Sequence, residues 1–352
     1  MSILRGRHPN PEKRLAIRCA AKSLWNEHHL PMTTPNRSSR RKVSVVGAGS
    51  VGTAIAYACL IRGSADALAL YDTNSAKVRA EVLDLNHGTQ FTPPCTVDGG
   101  DDISVTAGSD LVVVTAGAKQ HPGQSRLELA AVNVKIAQTL TEQLLAVSPD
   151  AVLLFVTNPV DVATYAAIQA AGPSYRGRIF GSGTVLDTAR LRFLLATELG
   201  VAVENVHAFI VGEHGDSEIP LWSSATIGGV PATSFVGPSG GVLGPDLRAK
   251  VAKSVVESAY EIIEGKGATN LAIGLSSAFI AEVVLRDEQR VLPVSTLQSG
   301  VHGLEHVCLS LPTMVGRAGA GRVLEVPLSE REASGLRSSA RTLREVQESL
   351  GL

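Results

Sequence analysis

Four polar segments of the chain hold residue types whose spacing could do chemistry. In Val211-Gly212-Glu213-His214-Gly215-Asp216-Ser217 a histidine stands between two glycines, and an imidazole titrating at ~6.5 can give or take a proton around neutrality. In Gly183-Thr184-Val185-Leu186-Asp187-Thr188-Ala189-Arg190 the acid and the guanidinium are three apart, so a helix sets Asp187 and Arg190 on one face. A planar guanidinium matches a carboxylate in a two-pronged way that lysine cannot imitate. The other two segments are Gly117-Ala118-Lys119-Gln120-His121-Pro122-Gly123-Gln124-Ser125-Arg126 and Thr157-Asn158-Pro159-Val160-Asp161, each following an apolar run. Taken singly, each has a plain structural alternative. An Asp–Arg pair at this spacing is usually an exposed ion pair worth little, and a single histidine is more often a hydrogen-bonded polar residue than a catalyst.

What could position such groups lies upstream. Gly47-Ala48-Gly49-Ser50-Val51-Gly52 is a GxGxxG run between an apolar strand and a helical stretch. Its first glycine permits a tight turn, its second lets backbone approach a pyrophosphate, and its third lets the helix pack closely on the sheet. Ser50 and Val51 open that helix, whose N–H groups and dipole favour an anion. A second strand ends in Tyr71-Asp72. A carboxylate there can accept from both hydroxyls of an adenosine ribose and repels a 2′-phosphate, favouring NAD over NADP; the plainer alternative is an Asp that caps the next turn. Thr115-Ala116-Gly117 ends another strand with small residues that let the cofactor lie close. Dinucleotide chemistry also needs a proton carrier beside the nicotinamide, which His214 with an orienting carboxylate would supply.

From Lys42 onward, short β-branched runs alternate with helical stretches. Residues 42–46, 67–71, 111–115 and 151–156 read as strands, and 51–62, 75–87 and 126–147 as helices. That alternation implies an α/β fold with a Rossmann-type, doubly wound parallel sheet covered on both faces. The unbroken apolar run Leu111-Val112-Val113-Val114 fits such burial. After Gly183 the rhythm changes. Helical stretches at 187–199, 247–266 and 268–285 surround β segments near 206–211, 290–297 and 306–311, and a charged helix spans 329–350. The expected organisation is an NAD-binding domain over 42–182 and an α+β substrate domain over 183–352.

The 352 residues, 44% hydrophobic, suffice for well-buried domains of this kind, and a net charge of -1 offers no footprint for nucleic acid or an anionic membrane. No apolar stretch is long enough to span a bilayer, so a soluble, cytoplasmic protein is expected. Cys19, Cys59, Cys95 and Cys308 show neither CxxC pairing nor a zinc-like rhythm; they read as free thiols, and no metal is expected. Residues 1–41 look foreign to the rest of the chain. Residues 1–42 carry 10 Lys/Arg against 2 Asp/Glu, with Pro9, Pro11, Pro31 and Pro35 and no sustained apolar period. A disordered tail, a start misplaced upstream of Met32 and an organelle-targeting peptide are the readings open there.

GEHGDS at 212–217 and LDTAR at 186–190 together resemble the lactate/malate dehydrogenase family, and the likeness runs from about Lys42 to the C-terminus. The resemblance implies reversible hydride transfer between NADH and a 2-oxo acid, giving an L-2-hydroxy acid. It gives His214 the role of general acid/base and Asp187 that of its orienting carboxylate. Arg190 would bind the substrate carboxylate. Arg126, on a loop that closes over the site, would polarise the reacting carbonyl, and Asn158 would serve both substrate and cofactor. Thr269 would lie beside the substrate and Ile273 against the nicotinamide. A catalytically silent relative would be expected to lack His214, Asp187, Arg190 or Arg126, and all four are present.

Members of that family differ at the loop position held here by Gln120, where malate enzymes carry arginine for the second carboxylate of oxaloacetate. Leaving that carboxylate unpaired would cost on the order of 2–5 kcal/mol, so a monocarboxylic pair, pyruvate and L-lactate, is expected. Ala268 and Leu271 stand where many lactate enzymes have aromatic neighbours of Thr269. That opens the alternative of longer 2-oxo acids, as in L-2-hydroxyisocaproate dehydrogenases; a malate enzyme is the more distant one. The resemblance also implies a homotetramer, or at least a dimer built around the 75–87 helix. In bacterial members the residues matching Arg192 and His207 bind fructose 1,6-bisphosphate between subunits, while relatives indifferent to it use similar residues as plain interface contacts.

Overall fold

Apolar, β-branched runs pair in parallel from the start of the chain. β1 (Lys42–Val46), β2 (Ala67–Tyr71), β3 (Thr96–Gly100), β4 (Leu111–Val114), β5 (Val152–Phe155) and β6 (Ile179–Gly181) lie in the order β6-β5-β4-β1-β2-β3. The computed structural model describes residues 40–118, 125–238 and 240–352. Helices α1 (Ser50–Arg62), α2 (Ser75–Gly88), α3 (Arg126–Val147) and α4 (Val160–Ala171) cover the sheet. Side chains alternate across its pleat: Val43, Val45 and Val113 pack on one side with Ile55 and Leu60, and Val46, Val112 and Val114 on the other with Leu140 and Leu144. Strand order reverses between β1 and β4, so their carboxyl ends open a crevice at the switch point.

The start of α3 is set by a capping box. The Ser125 hydroxyl accepts from Glu128 N at 3.2 Å, and the Glu128 carboxylate accepts from Ser125 N at 2.8 Å. Arg126 is therefore the first helical residue after the 117–125 segment.

The C-terminal half extends this sheet. α5 (Val185–Leu199) leads to the short strands β7 (Val206–His207), β8 (Ile210–Val211), β9 (Ile219–Pro220), β10 (Thr226–Ile227) and β11 (Val230–Pro231), then to α6 (Pro245–Lys266) and α7 (Leu271–Leu285). β12 (Arg290–Ser299) pairs antiparallel with β6 at Ser295 and Gly181. β13 (Glu305–Gly316) and β14 (Gly319–Val323) complete a nine-stranded sheet among the described residues. α8 (Glu330–Ser349), opened by a second capping box from Ser329, closes the chain. α1 packs on α7, where Glu282 accepts from Arg62 Nε at 2.8 Å, Arg62 Nη2 at 2.6 Å and Ser64 Oγ at 2.9 Å. No helix among the described residues is long and apolar enough to cross a membrane.

Several elements differ from the sequence reading for physical reasons. The 206–211 segment is two strands in two separate small sheets, β7 beside β10 and β8 beside β9. The helix expected from 268 begins at Leu271, so Thr269 and Asn270 precede it. α4 carries no helical period in the sequence because every residue from Val160 to Ile168 is buried. β3, β6 and β14 are short or glycine-containing and carry little strand signal of their own.

Candidate active site

The crevice at the switch point is built of backbone. At Gly47, with φ of 101°, the chain turns from β1 toward α1. A Cβ on Gly52 would lie 1.9 Å from the Gly47 carbonyl oxygen, so α1 reaches this close to the turn only with glycine there. Above Gly49 the space is open. Thr115 Oγ1 donates to the Gly47 and Val46 carbonyls at 2.9 and 3.1 Å, tying the turn to β4. Asp72 accepts from Ala48 N at 2.8 Å through Oδ2 and from Asn74 N at 3.0 Å through Oδ1. It thus braces its own turn, as its plainer reading has it, while a carboxylate keeps further lone pairs for hydroxyl donors. The resulting cleft has a volume of about 1010 Å³ and is lined by all the expected cofactor residues except Ile273. Ile273 is half-buried on α7, packed against the core beneath α1. An open glycine, a helix N-terminus and a strand-end acid fit a dinucleotide.

Asn133, which the sequence reading passed over, organises the rim of this cleft. Its Oδ1 accepts from Ala118 N at 2.7 Å and its Nδ2 donates to the Asn158 carbonyl at 2.8 Å. One buried amide therefore joins the two polar segments that follow β4 and β5. Its signal was an asparagine on the same helical face as Ala130, Val134 and Ala137, all buried. The Asn158 side chain itself is exposed at the end of β5.

Asp187, in the first turn of α5 and only 2% exposed, joins the two groups singled out by type. Its Oδ2 lies 2.6 Å from His214 Nδ1, and its Oδ1 accepts from Arg190 Nη1 at 2.7 Å. The i,i+3 pair is thus mostly buried and shares its acid with the histidine, which rules out the exposed-ion-pair alternative. The loop carrying His214 is held from three directions. Gly212 exchanges two 2.9 Å backbone bonds with Ser310 of β13, Glu213 N donates to Ser339 Oγ of α8 at 2.8 Å, and His214 N donates to Asp161 Oδ2 at 2.8 Å. Ser295 of β12 donates to the other Asp161 oxygen at 2.5 Å. Asp161 and Ser339 are further residues whose part the sequence did not disclose; both lie beyond the reach of local spacing.

Burial opposes a charge on His214, but the Asp187 charge and hydrogen bond outweigh it and raise the imidazole to about 9. Burial also opposes the Asp187 carboxylate, and His214 and Arg190 overcome it, holding the carboxyl below its ordinary value. At neutral pH the two form an ion pair with Nδ1 donating, which leaves Nε2 to carry the second proton. Burial raises Asp161 to about 6 against the pull of Ser295 and His214. Glu218 adds a third group: ligand-type atoms of Asp187, His214 and Glu218 lie within 4.8 Å of one another. Such a cluster could hold a cation, but both Asp187 oxygens are already engaged by His214 and Arg190.

Thr269 Oγ1 and Asn270 Oδ1, just before α7, are shielded from solvent and lack hydrogen-bond partners among the described residues. Arg192 turns away from this centre: its Nε donates to the Ala208 carbonyl at 2.9 Å and its guanidinium sits 5.2 Å over the Phe209 ring. His207 is exposed in β7. Gln120, the Arg126 side chain and residues 1–39 lie outside the described residues.

The profile of the lactate/malate dehydrogenase NAD binding domain matches residues 41–181, and that of the family's alpha/beta C-terminal domain matches 184–350. The chain belongs to the lactate/malate dehydrogenase family. An L-lactate dehydrogenase of Bifidobacterium animalis subsp. lactis is 48% identical over 312 residues, covering 88% of this chain and 97% of its own. One from Synechococcus sp. is 47% identical over 310 residues, covering 88% and 99%. The crystal structure of the minor L-lactate dehydrogenase of Enterococcus mundtii superposes with a TM-score of 0.84 at 36% identity, over 88% of this chain and 98% of that one. The cofactor of this family member is NAD, in keeping with the glycine-floored cleft. Replacing Gly52 with alanine is expected to weaken NADH binding by about tenfold or more, a loss of ~1.4 kcal/mol, because α1 must back away from the turn. Titration of NADH fluorescence checks this, and an unchanged Kd would contradict the packing argument.

Proposed function

We propose that this protein interconverts pyruvate and L-lactate with NAD(H), and the observation that carries the reading is the single Asp187 carboxylate shared by His214 and Arg190. When bound, the nicotinamide supplies or takes up the hydride. The chain's own residues handle the proton and the charge. His214 enters protonated at neutral pH, since Asp187 raises it to about 9, and can give a proton to the oxygen of a 2-oxo acid. Asp187 holds the imidazole in one orientation and stabilises its charged form. Arg190, anchored to Asp187 through one nitrogen, has the rest of its fork for the substrate carboxylate. Arg126 and Asn158 are read as polarising the carbonyl, and the unpartnered Thr269 hydroxyl as lying beside the substrate. Gln120 is read as the neutral group that favours a monocarboxylic acid.

The division of labour proposed for the chain is a cofactor half over 42–182 and a substrate half over 183–352. A homotetramer in the cytoplasm goes with the reading. It is supported by two separate sets of exposed apolar residues: Tyr57, Ile61, Leu271 and Leu275 on α1 and α7, and Phe193 and Val230 on α5 and β11. Tetramers of two-fold symmetry bury more than one such surface. Fructose 1,6-bisphosphate is proposed as an activator at Arg192 and His207, supported by the Arg192 bond to Ala208, the neighbour of exposed His207.

The direct test is steady-state reduction of pyruvate, 2-oxoisocaproate and oxaloacetate with NADH. Pyruvate is expected to give the largest kcat/KM; a preference for 2-oxoisocaproate would favour the wider pocket that Ala268 and Leu271 suggest. His214→Asn is expected to lower pyruvate turnover by about 10²–10⁴-fold with NADH affinity nearly intact, and activity within tenfold of the parent would remove His214 from the proton step. At sub-saturating pyruvate, fructose 1,6-bisphosphate is expected to lower the apparent KM, and Arg192→Ala to abolish that effect. No response in the parent would leave Arg192 as an interface residue.

A further inference from the structure

Glu218 has no part in the roles above, yet it faces the same centre. Its carboxyl belongs to the cluster with Asp187 and His214, within 4.8 Å. Its Oε1 is shielded from solvent and lacks a hydrogen-bond partner among the described residues. An ionised carboxylate so placed leaves a charged oxygen unsatisfied beside a second acid, which costs far more than leaving a neutral carboxyl there. The groups that face it are Asp187 and Arg190 on α5, and His214 and Asp216 on its own loop. Burial and the two acids oppose its charge, His214 and Arg190 favour it, and the balance raises the carboxyl to about 8.

We propose that Glu218 gates Arg190: protonated, it leaves the guanidinium to the substrate carboxylate; ionised, it competes for that charge and repels the incoming anion. The proposal rests on Arg190 being the carboxylate site of the pyruvate and lactate reading. Glu218 is a positioning residue, since it acts on the substrate through Arg190 and through its own charge. Glu218 loses its proton as pH rises through about 8, so anion binding weakens on the alkaline side for 2-oxo and 2-hydroxy acid alike. His214 behaves differently, because its charged form suits the 2-oxo acid and its neutral form the 2-hydroxy acid.

Glu218→Gln keeps the shape of the neutral carboxyl and cannot ionise. Its loss of charge also removes one of the influences that raise His214. That change alone would raise the variant's pyruvate KM at alkaline pH, which is opposite to the gate and makes pyruvate the decisive substrate. KM and kcat for pyruvate are measured with saturating NADH near pH 6.5 and near pH 9.5, in the parent and in Glu218→Gln. The parent-to-variant KM ratio is expected to rise about threefold or more between the two, threefold being ~0.65 kcal/mol, with the kcat ratio moving less. A KM ratio that stays flat or falls overturns the gate. Glu218→Ala, equally unable to ionise, takes the same measurement if the glutamine variant does not fold. A parent that fails to reduce pyruvate at all would instead overturn the functional reading, so the two failures are distinct.

Discussion

Burying an isolated carboxylate in a protein interior costs several kcal/mol even after relaxation, and Asp187 escapes that cost only through its two partners. One oxygen meets an imidazole and the other a guanidinium, at 2.6 and 2.7 Å. Everything else in the centre depends on this division. Because Oδ2 holds Nδ1, the imidazole has one orientation and its outer nitrogen is the one available for proton transfer. Because Oδ1 holds a single nitrogen of Arg190, the guanidinium is anchored at one end while its other donors stay open. Replacing the acid would free both groups at once, so their geometry is one property rather than two.

A loop of the form Gly212-Glu213-His214-Gly215 has little conformational preference of its own, so the position of His214 must come from outside. Three elements distant in sequence supply it. β13 pairs with Gly212, α8 offers Ser339 to Glu213, and α4 offers Asp161 to the His214 amide. Asp161 is in turn held by Ser295 of β12. The sheet extension β12–β13 thus reaches the His214 loop twice, once through Gly212 and once through Asp161. These bonds hold the His214 loop in place although two of its residues are glycines.

Much of this was legible in the sequence where local rules apply. The strand, GxGxxG and helix of the cofactor cleft are contiguous, so the turn, the close packing and the Asp72 position could be read from spacing alone. Asp187 and Arg190 sit on one helical turn and were equally plain. The residues that escaped act across the fold. Asn133 bridges loops 15 and 25 residues away, Ser339 meets Glu213 from 126 residues away, and Asp161 meets His214 from 53 away. Nothing in the neighbourhoods of Asn133 and Ser339 distinguishes them from ordinary polar residues, and the segment that ends in Asp161 gives no sign that this acid meets the His214 amide. α4 was missed for the converse reason, since burial on all sides leaves a helix without a polar face to mark its period.

The charge of the centre also bears on the substrate it can take. Asp187 cancels one of the two cations it joins, His214 and Arg190, leaving about one positive charge. Glu218 is pushed toward its neutral form, while Asp161, raised only to about 6, is mostly ionised at neutral pH and spends its oxygens on His214 N and Ser295. A monocarboxylate can pair with the open donors of Arg190, whereas a second carboxylate would leave an anion in a low-dielectric site with no partner, at a cost of several kcal/mol. Glu218 then has a use: by staying near its protonated form it leaves the Arg190 charge to an incoming anion.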